Sequence, residues 1–298
     1  MGRIRRTLSQ LERVLALAER ALRERVGPEP DADLFRRHLA FRWEVVAGRG
    51  RLLPIESPDL FDLDDLVGVS RPLERLVTNI EQFVAGYPAN HVLLYGERGT
   101  GKSSAVKGLL TRFASRGLRV VEVRKGDLVH LADVLDALRP ADQRFLVFCD
   151  DLSFDAGEPQ YRELKAALEG SLAAPPDNVR IVATSNRRHL LPQTVGDNRA
   201  ARLDDAGELH VGESLDEKLA LADRFGLALG FYPFDQKTYL EIVDHYAKRA
   251  GLGLDPAEIR SQALRWALDR SSRSGRTARH FVDDLAGREA LGRQERTR

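Results

Sequence analysis

Eight consecutive residues carry the clearest chemistry in this chain. Gly96, Glu97, Arg98, Gly99, Thr100, Gly101, Lys102 and Ser103 match the pattern G-x-x-x-x-G-K-[ST] at every position. Glycines at this spacing let successive backbone N–H groups curl around phosphate oxygens. A helix opening at the end of the loop adds favourable partial charge. Lys102 is expected to reach the β and γ phosphates of a bound ATP, and Ser103 to place its hydroxyl on Mg²⁺, with Ser104 completing the cradle. A second run, Arg144 to Asp151, is an apolar segment ending in two carboxylates. A buried strand delivers its C-terminal residues to the crevice where ligands bind in open α/β sheets. Asp150 is therefore expected to hold Mg²⁺ through water, and Asp151 to orient and deprotonate an attacking water. The competing readings are a chance glycine-rich turn and a solvated acidic turn.

Context decides between them, because the loop needs a strand before it and a helix after it. His91 to Tyr95 is a short apolar strand, and Lys102 to Ser115 reads as a helix. Strands follow at 118–123, 145–149 and 179–183, with helices at 128–138 and 161–172 between them. Strands apolar throughout and separated by helices predict a parallel sheet covered on both faces. Residues 193–213 interrupt this rhythm with a polar insertion, and after Phe234 only helices follow, near 236–250, 256–270 and 277–290.

The N-terminal region reads differently. Leu8, Leu11, Leu15, Ala18 and Leu22 recur at helical spacing, so residues 7–26 are expected to form an amphipathic helix ended by Gly27 and Pro28. A second helical stretch is expected with Phe35, Leu39, Arg42 and Val46 on one side, broken at Gly48 to Gly50. Residues 51–64, with two prolines, read as a linker into the main domain.

The 298 residues suit one large domain or two modest ones. Forty-six Lys and Arg against 45 Asp and Glu leave a formal net charge of +1, which removes any global electrostatic argument for nucleic acid. Arginines gather at both ends, but Glu12, Glu19, Glu24 and Glu44 intersperse them and no aromatic pattern accompanies them, so weak nucleic-acid binding at most is expected. The single cysteine, Cys149, excludes an internal disulfide and reads as a buried inert thiol. No run of about 18 apolar residues exists to span a membrane. No apolar signal core follows the first six residues, the three early glutamates argue against a transit peptide, and Arg6 breaks the myristoylation pattern. A cytoplasmic protein is the expectation.

Taken together, these residues resemble the AAA+ ATPases. Leu63 to Gly68, including Val67, is similar to the segment that lies beside the adenine in that family, and Asp150 and Asp151 to its Walker B pair. Thr184, Ser185 and Asn186 resemble sensor 1, which implies that Asn186 touches the γ phosphate and the catalytic water. Ala222 to Gly226 resembles the stretch carrying an arginine finger, so Arg224 would reach a neighbouring subunit's nucleotide. Ser274 to Arg279 resembles sensor 2, with Arg279 the preferred contact and Arg276 its competitor. The resemblance implies an α/β fold: a parallel-sheet P-loop core at 63–234 and an all-helical C-terminal lid at 235–298. An N-terminal helical extension and linker would fill 1–62. Within AAA+, the runs at 41–43, 150–154 and 183–190 are similar to a bacterial stand-alone family of unassigned cellular role.

Two departures matter. Most AAA+ proteins carry Glu where Asp151 stands, and the missing methylene implies slower turnover. Lys125 to His130 lacks the aromatic-apolar-glycine loop of threading unfoldases. The resemblance implies a homo-oligomeric ATPase that uses ATP and Mg²⁺ to remodel or load a protein or nucleic-acid client. The alternatives are a nucleotide-controlled switch with little turnover and, behind it, a P-loop small-molecule kinase.

Overall fold

A computed structural model of the chain describes residues 33–46, 48–154, 158–169, 175–186, 202–203, 209–210 and 223–297. The helix expected at 7–26 and most of the polar insertion at 193–213 lie outside the described residues; within the insertion, Arg202–Leu203 (β7) and Leu209–His210 (β8) pair antiparallel.

The core is a seven-stranded sheet in the order β2-β1-β4-β5-β6-β3-β9. Its strands are β1 (Ala40–Val46), β2 (Arg49–Pro54), β3 (Val92–Gly96), β4 (Leu118–Glu122), β5 (Arg144–Cys149), β6 (Val179–Ser185) and β9 (Leu227–Phe231). Every pairing is parallel except the β1–β2 hairpin. The apolar character of each strand follows from burial on both faces. In β5, Phe145, Val147 and Cys149 enter one core cluster while Leu146 and Phe148 enter the other. Helices α3 (Lys102–Phe113), α4 (Leu131–Leu138) and α5 (Pro159–Glu169) cross between parallel strands, as a parallel pair requires.

The segment read as helical over Phe35 to Val46 is a correction. Only Leu34–Arg37 is a helix (α1), and Ala40–Val46 is a strand. The i, i+3, i+4 spacing of its apolar residues is real, but Phe41 and Trp43 also alternate, and both are buried on the sheet. Pairing to β4 settles the conflict: Arg42 lies opposite Glu122 and bonds to it at 2.8 Å. Gly48, at φ 75°, turns the chain into β2, so part of the expected linker is an edge strand. The sheet thus includes residues 40–54, ahead of the boundary at residue 63 drawn from the motifs. Helix α2 (Ser70–Val84) and strand β9 add to the elements expected from sequence. α2 packs Leu76, Ile80 and Phe83 under the sheet, and β9 closes its far edge beside β3.

The lid follows as α6 (Gln236–Arg249), α7 (Pro256–Asp269) and α8 (Gly275–Thr297). Asp235 and Asp255 cap the first two through side-chain bonds to Thr238 N and Ala257 N. Tyr239, Val243, Ala263 and Phe281 form a core cluster of their own within these helices, and Phe234 packs against both it and the sheet core. Among the described residues, no helix is long and apolar enough to cross a membrane.

Candidate functional site

The order β5-β6-β3 puts the ends of three strands side by side, and the site is built from the residues at and just beyond those ends. After β3 the loop Gly96 to Gly101 turns back over the strand, with Gly99 and Gly101 at φ 75° and 101°, backbone that glycine adopts without strain. Gly101 is the N-cap of α3, so the free N–H groups of the first turn face the loop. Lys102 is buried, and its ammonium donates to Gly96 O at 2.8 Å, Glu97 O at 2.7 Å and Asn186 Oδ1 at 3.3 Å. Burial lowers the Lys102 pKa, against the attraction of Asp151, Asp150 and Glu97. All three partners are neutral carbonyl oxygens, and an anionic phosphate oxygen outcompetes them because it adds charge attraction to the hydrogen bond.

After β5 comes the acidic pair, and β6 holds it in place through one buried hydroxyl. Thr184 Oγ1 donates to Asp150 Oδ1 at 2.5 Å and accepts from Asp151 N at 2.8 Å. The neighbouring backbone closes the turn: Leu152 N donates to Thr184 O at 2.7 Å, and Ser185 Oγ to Leu152 O at 2.7 Å. These bonds hold Asp151 at φ 52°, a left-handed conformation costly for a residue with a Cβ. Ser103 Oγ donates to Asp150 Oδ1 at 2.7 Å, tying the start of α3 to the end of β5. Asn186 Nδ2 bonds to Asp151 Oδ1, and Arg98 lies 4.0 Å from the same carboxylate.

These groups line one cavity of about 760 Å³ between core and lid. Its phosphate end is polar, while Val67, Phe234, Ile242 and Tyr246 line it from the lid side and the segment before the core. Its size lies in the range of small-molecule and cofactor sites. The donor set fits a Mg²⁺ ion held with substrate phosphates and water: one hydroxyl and one carboxylate, both oxygen ligands. Among the described residues no cluster of three His, Cys, Asp or Glu side chains offers an all-protein metal cage.

Comparison with known proteins places the chain. Residues 36–289 match the family described as "Protein of unknown function (DUF815)". The chain belongs to the DUF815 family. No curated protein matches it. A mutant form of RuvB from Thermotoga maritima superposes with a TM-score of 0.52 at 18% identity, covering 78% of this chain and 66% of that one. Another RuvB chain, the Holliday junction branch migration motor of Thermotoga maritima, gives 0.49 at 18%, covering 74% and 63%. AMPPCP-bound DnaA from Aquifex aeolicus gives 0.49 at 21%, covering 80% and 69%. This DUF815 chain therefore spans 63 to 66% of those RuvB chains' length. The likeness to the mutant RuvB shows the fold alone: an AAA+-type, mostly parallel sheet with a helical C-terminal unit.

Set on that fold, the residues singled out in the sequence fall into three groups. Arg98 to Ser104, Asp150, Asp151, Asn186, Val67 and Arg279 all line the cavity. Gly96 and Glu97 stand behind the loop and meet the site through their carbonyls on Lys102. Arg276 lines the cavity as well as Arg279, and its backbone N–H donates to Gly99 O at 3.3 Å, so both sensor-2 candidates reach the site. Arg224 stands apart, in an ion pair with Glu169 at the end of α5. Cys149 is fully buried, and burial followed by the adjacent Asp150 charge pushes its thiol up to about 12, as an inert thiol requires. The sequence places Thr184 only in the sensor-1 run, which does not reveal its bonds to Asp150 and Asp151. A threonine two residues before Asn186 is visible in the sequence, but its role depends on β6 lying beside β5 in register, Cys149 opposite Ala183.

Proposed function

We propose that this chain binds ATP with Mg²⁺ in the core–lid cavity and hydrolyses it, using the cycle to remodel or load a protein or nucleic-acid client as a homo-oligomer. The observation that carries the reading is that Lys102 bonded to Asn186, and Ser103 bonded to Asp150, line one cavity at the mouth of a phosphate loop. In this reading the loop N–H groups and Lys102 hold the β and γ phosphates, and Ser103 and Asp150 hold Mg²⁺. The metal supplies charge neutralisation across the phosphate oxygens. Asp151, aimed by its bonded backbone, accepts the proton of an attacking water, and Asn186 orients that water. Arg224 would act on a neighbour's nucleotide, because it stands away from its own cavity in the pair with Glu169.

The test of binding is calorimetric titration of Lys102→Ala with ATP and Mg²⁺. Loss of binding is expected, and wild-type affinity would remove the nucleotide reading. A second reading, a switch that binds ATP with little turnover, draws support from Asp151: its carboxylate is shorter than the usual Glu and already engaged by Asn186. Steady-state phosphate release separates the two, since a switch binds tightly and releases almost none.

A further inference from the structure

The 3-10 turn Leu63–Asp65 and the residues through Gly68 form a wedge between the phosphate-loop helix and the lid. On the core side the packing leaves no slack. A Cβ on Gly108 of α3 would stand 2.3 Å from Leu63 Cδ2, and one on Gly101 would stand 2.6 Å from Leu66 Cδ2. Leu63 and Leu66 therefore sit in two notches, one on α3 and one at its N-cap. On the lid side, Asp65 is 8% exposed and takes two hydrogen-bond partners from α6. His245 Nε2 lies 2.7 Å from Asp65 Oδ1, and Arg249 Nη1 bonds to the same oxygen. His245 and Arg249 are four residues apart, one helical turn, so both face the wedge. Arg249 also lies 3.6 Å from Asp62, and Tyr246 Oη donates to Asp65 O at 3.3 Å. Burial raises the Asp65 carboxyl, but the bonds and charges of His245 and Arg249 outweigh it and hold the group below the usual carboxylate value.

None of the chemistry assigned above uses this cluster. Asp65 itself lines the cavity, as do Val67, Ile242 and Tyr246 from the same elements. We propose that Asp65, His245 and Arg249 form a core-to-lid clasp that holds α6 against the bound nucleotide. Through Leu63 and Leu66, the clasp makes lid position and phosphate-loop conformation depend on one another. Asp65 is then a positioning residue for nucleotide retention, acting through the lid without touching the phosphates. The inference rests on the reading that the cavity takes ATP. Its physical basis is that a carboxylate and a guanidinium so placed resist separation, and that removing Arg249 leaves the largely buried Asp65 as a poorly solvated charge.

The experiment uses the full chain in two arms. Dissociation of a fluorescent ATP analogue with Mg²⁺ is followed by stopped flow, and backbone hydrogen exchange of α6 is measured without nucleotide. Asp65→Asn is expected to speed dissociation several-fold, the solvated Arg249 side chain limiting the loss, and to speed α6 exchange before any nucleotide is added. Arg249→Gln, on a half-exposed side chain, carries the same expectation and serves if Asp65→Asn does not fold. The double variant should release the analogue no faster than the faster single variant, a non-additivity that general loss of stability would not produce. Wild-type dissociation and wild-type α6 exchange in both single variants would overturn the clasp, and so would strictly additive effects. If the unmodified chain binds no analogue, the ATP reading fails, while the exchange arm still decides the clasp.

Discussion

Replacing Thr184 by valine changes almost nothing in shape and removes one hydroxyl. That side chain is 1% exposed, so the effect should come from two specific bonds. The first is the 2.5 Å bond to Asp150, charge-assisted and worth about 1.5–3 kcal/mol. The second is the 2.8 Å bond from Asp151 N, whose loss leaves a donor unmatched at a cost of about 1–3 kcal/mol. Both acidic residues line the cavity, where water recovers part of each loss. The lower halves of those ranges therefore apply, a total of about 2.5–4 kcal/mol. For a chain of this size that corresponds to a fall in Tm of roughly 5–15 °C. The backbone of Asp151 at φ 52° loses a restraint at the same time, so turnover should fall at least about tenfold even where the protein stays folded. Circular dichroism without nucleotide measures the first effect, and phosphate release at saturating ATP and Mg²⁺ the second. Thr184→Ser, which keeps the hydroxyl, should recover most of both. A valine variant with wild-type Tm and turnover would show that β6 does not pin the acidic turn, and the account of how Asp150 and Asp151 are aimed would have to be abandoned.

Other perturbations test separate parts of the site. Asp151→Asn should keep nucleotide affinity and lose turnover by roughly 10²-fold, the scale of a general base; normal hydrolysis would move that role to another residue. Arg224→Ala should bind ATP normally and hydrolyse it poorly, and mixing it with Lys102→Ala should restore activity at interfaces that pair an intact loop with an intact arginine. Mixed assemblies that form and stay inactive would remove Arg224 from the reaction. His91 supplies a test of stability against pH. Burial first and Arg180 second lower it from 6.5 to about 4, and its Nδ1 accepts from Ile181 N at 2.9 Å. The unfolded chain takes up this proton near 6.5 and the folded chain only near 4, so the stabilisation is complete above pH 6.5 and is lost as pH falls towards 4. The full effect is about 3 kcal/mol from this group. Urea midpoints at pH 7.5 and 4.5 should converge in His91→Asn relative to wild type, and an unchanged difference between the two pH values would exclude the assignment.

The chemistry that depends on neighbours in the chain was legible in the sequence. The phosphate loop is eight contiguous residues, and its strand and helix follow from local apolar pattern, so Gly96 to Ser103 and the Asp150–Asp151 pair could be placed without coordinates. Parallel strands buried on both faces are apolar at every position, which is why β3, β4, β5 and β6 stood out and the α/β class with a helical C-terminal unit followed. Where one segment fits two periods, local pattern loses its power. Phe35 to Val46 satisfies helical spacing and also alternates, and only the parallel partner β4 makes the strand the lower-energy choice. Interactions between residues far apart in sequence lay beyond such reading. Thr184 aims the acidic turn because β6 lies between β3 and β5, and that order is a property of the sheet. Asp65 meets His245 and Arg249 across 180 and 184 residues, and Arg224 meets Glu169 across the edge of the core. A side chain's type sets what it can bond to, but its partner is chosen by which elements pack together, and that choice is made by the summed burial of the whole chain.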